Sequence, residues 1–179
     1  MSGQFQPREE YTSAHVTELS ELVDRLKREH GELLQVLRDM AEQSVLAERE
    51  RDPVKARGTL LHLRLWAMAF QEELERHSHW EEKELYPFLN LYFHKYKRPS
   101  VVPSLWMLEK EHERAMDHMN SFFRAVHALK SDSDALPVKR AAAYLTQACR
   151  ILTDHLEKEE QIIFPLTDQV LTDVDFLFS

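Results

Sequence analysis

Six side chains on four helical stretches have the types and spacing to hold metal ions: His30, His77, Glu81, His112, His155 and Glu159. The stretch HSHWEEKELYP at 77–87 returns as HLEKEEQIIFP at 155–165, 78 residues later. REHGEL around His30 returns as KEHERA around His112, 82 residues later. A duplicated helical hairpin explains both offsets and implies approximate two-fold symmetry. Each histidine takes a place in an apolar stripe: His30 comes four residues after Leu26 and three before Leu33, and His112 four after Leu108 and three before Ala115. His77 and His155 follow Leu74 and Leu152 by three, and each is followed four residues on by a glutamate.

One histidine on an apolar face is more often a hydrogen-bonded core residue than a ligand. Four of them with two inward carboxylates are another matter, because a buried carboxylate without a positive partner costs several kcal/mol (roughly) or takes up a proton. A metal pair supplies the positive charge. Imidazole and carboxylate without thiolate suit iron, with manganese or zinc as lesser alternatives, and six side chains are too many for one tetrahedral zinc. If Glu81 and Glu159 bridge two octahedral ions and an oxo or hydroxo bridge joins them, roughly ten of twelve positions are filled. The remainder are open to dioxygen, nitric oxide or peroxide.

The elements that must position these groups are helices. The chain has 179 residues, 43% of them hydrophobic and 30% charged, with only three glycines, which fits one helical domain. The first helix is expected over about 12–48. The second is launched by Asp52 and Pro53 and runs to about Leu85, with Pro87 marking its end. LNLYFHKYKRPSVVP reads as a connection with room for a short helical piece. Ser104 is the expected cap of a third helix through Val126, and KSDSD turns into a fourth from near Pro137 to about Phe164. The expected architecture is an all-α antiparallel four-helix bundle with its core at about 12–166 and a tail, 167–179, that either packs back or frays.

The remaining candidates are peripheral. His79 projects half a turn away from His77, and Glu84 also faces outward. His15, His62, His94, His118 and His127 lack a duplicated partner and read as surface or packing residues. Glu82 and Glu160 fall beside the metal axis, while Glu29 and Glu111 read as solvated neighbours or as partners of the ligands. Phe70, Met116, Met119 and Leu152 would form an apolar wall that admits only small molecules, and Cys149 reads as a core residue.

Taken together, the EH pairs at Glu29–His30 and Glu111–His112, with His77/Glu81 and His155/Glu159, make the sequence resemble the hemerythrin-like, or HHE cation-binding, family over about 12–166. The resemblance implies a di-iron centre with His30, His77, His112 and His155 as terminal ligands and Glu81 and Glu159 as bridges. Oxygen carriers of the family have a further histidine where this chain has Met116, and an aspartate where it has Glu159. The four-histidine, two-glutamate set resembles that of the proteins that repair damaged iron centres, whose usual N-terminal cysteine-bearing domain is not in this sequence. The expected function is reaction with, or binding of, small oxygen or nitrogen species under stress, with an unidentified electron donor. The rival is a sensor or iron carrier without turnover. A net charge of −8 argues against nucleic acid as a partner, no apolar run is long enough for a membrane span, and the cytoplasm is the expected location of a monomer or homodimer.

Overall fold

The computed structural model describes residues 13–95 and 102–178, with side chains described over 18–93 and 104–173. Its helices are α1 (Ser13–Arg49), α2 (Pro53–Trp80), α3 (Tyr86–Lys95), α4 (Val102–Ala128) and α5 (Ala135–Phe178), and a single π-turn, Glu81–Leu85, joins α2 to α3. Two helical hairpins, α1 with α2 and α4 with α5, form a four-helix bundle, with α1 also lying along α5. Asp52 caps α2 as expected: its carboxylate accepts from the Val54 amide at 2.9 Å, and Pro53 occupies the first turn, where no amide hydrogen is needed.

The interior is two apolar clusters with a polar layer between them. One gathers Leu37, Met40, Leu60, Phe122, Leu145 and Leu152; the other gathers Leu26, Leu85, Leu89, Leu108, Ile163 and Val170. Each fully buried large side chain contributes on the order of 1.5–3 kcal/mol, so both clusters resist opening and hold the layer between them in register. Along α1, His30 separates Leu26 of one cluster from Leu33 of the other. His77 and Glu81 separate Leu74 from Leu85, His112 separates Leu108 from Ala115, and His155 and Glu159 separate Leu152 from Ile163.

Three expected boundaries move. Pro87 does not end the second helix: the preceding turn widens into the π-turn, in which the Tyr86 amide bonds back to the Glu81 carbonyl, and Pro87 sits in the first turn of α3. The expected connection is therefore helical as far as Lys95. Ser104 does not cap α4, which begins at Val102. Nor does the last helix stop at Phe164. It runs through Pro165 to Phe178, because Ile163 before the proline and Thr167 and Val170 beyond it are buried, while Lys27 reaches Asp168 at 2.8 Å and Tyr92 reaches Asp173 at 2.7 Å. The expected tail is thus a continuation of α5; Phe176 and Phe178 have side chains outside the described residues.

Gly31 occupies the solvent face of α1, and a Cβ there would meet nothing within 4 Å. Gly31→Ala should stabilise the protein by about 0.5–1 kcal/mol through lower unfolded-state entropy. A calorimetric melting temperature raised by about 2–4 °C with bound metal unchanged is the expected result, and a lowered one would show that the position carries a constraint not visible in its contacts.

Candidate metal centre

His30, His77, Glu81 and Glu159 each offer one donor atom, all within 4.8 Å of one another and all buried, a group able to hold a metal ion. His30 Nε2 lies 3.1 Å from Glu81 Oε1 and 3.9 Å from Glu159 Oε1. His77 Nε2 lies 2.8 Å from the same Glu81 oxygen without hydrogen-bond alignment, as expected of donors aimed at a shared point rather than at each other. His155 flanks the group, its Nε2 3.6 Å from Glu159 Oε2. His112 lies beside His155, the rings tilted at 59° with 5.6 Å between centroids, and is half-buried, less enclosed than its place in the apolar stripe led one to expect. A small cavity bordered by Glu81, Tyr86, His112, His155 and Glu159 joins these two histidines to the rest.

Carboxylates hold the far edges of the rings. His77 Nδ1 donates to Glu29 Oε2 at 2.7 Å, and Glu29 is itself gripped by Arg25 at 2.9 Å. The repeat reproduces this loosely, with Glu111 3.9 Å from His155 Nδ1 and held by Lys158 at 2.6 Å. Glu160 lies 3.5 Å from His30 Nδ1. Of the two readings open for Glu29, the buried partner prevails over the solvated neighbour. Such contacts fix a ring's orientation and its basicity.

The charges of the cluster reinforce this picture. Burial lowers the pKa of His30, His112 and His155 despite the charge of Glu159, so these rings are held neutral, the form that ligates. At His77 burial pulls the same way, but the carboxylates of Glu81 and Glu29 outweigh it and the pKa rises to about 9. Burial and the neighbouring charge of Glu81 push Glu159 up to about 8. Protons on His77 and Glu159 thus serve as the positive charge that the paired carboxylates need, and a metal ion would replace them.

Sequence reasoning missed Tyr86. Its hydroxyl donates to Glu159 Oε1 at 2.5 Å and lies 3.3 Å from Glu81 Oε2, and the ring is buried. In a regular helix Tyr86 would sit about 140° around from Glu81; the π-turn returns it to the same face. The twin residue Phe164 has no hydroxyl and instead packs edge-on against His30 at 5.4 Å. His79, Glu84, Glu82, His62 and His127 are exposed, and His118 is half-buried; the side chains of His15 and His94 lie outside the described residues. Of the expected apolar wall, Phe70, Met119 and Leu152 are buried and Met116 packs at the edge of the core; Cys149 is buried too. No helix among the described residues is long and apolar enough to cross a membrane.

No curated protein and no solved structure gives a significant match. The model of the hemerythrin HHE cation binding domain matches residues 21–167, a span that contains the buried cluster and both flanking histidines. With that match across most of the bundle and a two-histidine, two-glutamate cluster in its polar layer, the chain belongs to the hemerythrin HHE cation binding family.

Proposed function

We propose that this chain is a non-haem di-iron protein that binds or reacts with peroxide, dioxygen or nitric oxide under oxidative or nitrosative stress. The carrying observation is the buried polar layer, in which His155 and His112 extend the four-residue cluster beyond what one ion needs. In this reading His30, His77, His112 and His155 would be terminal ligands and Glu81 and Glu159 would be shared between the two ions. Bound iron would supply one-electron chemistry and open coordination positions for a small ligand.

The chain's own residues do the rest. Glu29, fixed by Arg25, holds His77 by its Nδ1 proton and directs Nε2 inward. Tyr86 orients Glu159. Phe70, Met119 and Leu152 keep bulk water from one side. Anaerobic iron loading followed by metal analysis and optical spectra, before and after oxygen, peroxide and nitric oxide, tests the reading. About two irons per chain with an oxo-bridge absorption after oxidation are expected, and about one iron with no such band would sink it.

Metal uptake should also be linked to protons. At pH 7 His77, with a pKa of about 9, and Glu159, at about 8, both carry protons that a metal must displace. Apparent affinity therefore rises with pH from 6 towards 9 and levels off above, and loading at pH 7 releases about two protons. Titration calorimetry in buffers of different ionisation enthalpy measures that number; a value near zero would contradict the assigned protonation.

A further inference from the structure

Among the described residues, the outer face of α2 carries an apolar stripe that no other element covers. Val54, Leu61, Leu65 and Met68 are exposed, Val54 and Leu65 by about two-thirds (68% and 66%), while the opposite face of the same helix, with Leu60, Phe70 and Leu74, is buried in the bundle. With Gly58 and Glu72 these residues recur at alternating intervals of four and three, the seam of a two-helix packing. The stripe is about 27 Å long. Gly58 lies in the second turn of α2, inside the helix, where glycine is less favourable than alanine, and a Cβ there would meet nothing within 4 Å, so packing among the described residues gives no reason for it.

We propose that this stripe is the seam of an antiparallel dimer, with α2 of a second copy as its occupant. Paired about a two-fold axis between Leu61 and Leu65, the stripe matches itself: Leu61 meets the second copy's Leu65, Gly58 makes room for its Met68, and Val54 meets the aliphatic part of its Glu72. Charge fixes the direction. Exposed Lys55 at one end of α2 falls beside Glu72 of the other copy, and the symmetric contact repeats it. A parallel pair would set Lys55 against Lys55 and Glu72 against Glu72, like charges that disfavour it. Arg64 meets its own mate near the axis, a repulsion that makes the dimer reversible rather than permanent.

Sedimentation of the metal-loaded full chain between about 1 and 200 µM should show a monomer–dimer equilibrium. Leu65→Glu, at an exposed position, should weaken it by about a hundredfold or more while helicity and metal content stay unchanged. Lys55→Glu and Glu72→Lys should each weaken it about tenfold, and the double variant should recover the original constant, because each reversed charge again faces its opposite. A chain that stays monomeric throughout, or a double variant no better than its single parents, overturns the proposal.

Discussion

Glu159→Ala and Glu81→Ala should each lose about a hundredfold or more in metal affinity, while His79→Ala loses almost nothing. Glu159 is 3% exposed and lies within reach of His30, His155 and Tyr86; Glu81 faces His30 and His77. Either truncation removes an oxygen pair from the centre of the layer and one of the two carboxylates that a metal would meet there. His79, two residues from His77, is exposed on the other side of α2. Glu159→Gln separates charge from shape: its amide oxygen can still accept from Tyr86, so the fold should hold while metal binding falls nearly as far as in the alanine variant. Chelator competition after anaerobic loading gives the affinities, and thermal melts of the metal-free variants report the fold. Equal losses at His79 and Glu159 would mean that the binding face of α2 is misassigned.

That face was legible because helical period and apolar spacing report the same fact twice. His30 between Leu26 and Leu33 could point only into the bundle, and the 78-residue offset carried the reasoning from His77 and Glu81 to His155 and Glu159. The polar layer between two apolar clusters is the three-dimensional form of histidines interrupting a leucine stripe. The reading gave way where a local rule was overridden by packing. Pro165 should have stopped α5, but Ile163, Thr167 and Val170 bury enough surface around it to carry the helix on. Glu29 reads from the sequence as either a solvated neighbour or a partner of the ligands, and the contact with His77 Nδ1, 48 positions away, decides between them. His112 fits the stripe as well as His30 does and yet is only half-buried, since one-dimensional spacing gives a direction but not the depth of what covers it.

Tyr86→Phe should lower metal affinity about tenfold and move metal uptake to higher pH, whereas Phe164→Tyr should do neither. The period of an ordinary helix sends Tyr86 away from Glu81; only the π-turn before Pro87 brings it back, so the repeat YP and FP hides a functional difference in one oxygen. The ring of Tyr86 is buried and phenylalanine keeps that packing, but the proton given to Glu159 at 2.5 Å is lost. Burial and Glu81 hold the Glu159 pKa near 8, and the Tyr86 hydrogen bond acts in the opposite direction by favouring the carboxylate. Without it Glu159 keeps its proton to higher pH, and a metal must compete harder to displace it. The sign follows: uptake measured from pH 6 to 9 should have its midpoint displaced upward in Tyr86→Phe, with the two curves meeting at the alkaline end if orientation is otherwise preserved. Phe164 packs its ring edge-on against His30 from a partly exposed position in a groove it shares with Glu160 and Asp168, so a hydroxyl added there is expected to face that groove rather than Glu81 or Glu159. A Tyr86→Phe profile that overlays the parent would show that the hydroxyl only fills a buried space, and that the two halves of the site are functionally as alike as their sequences suggest.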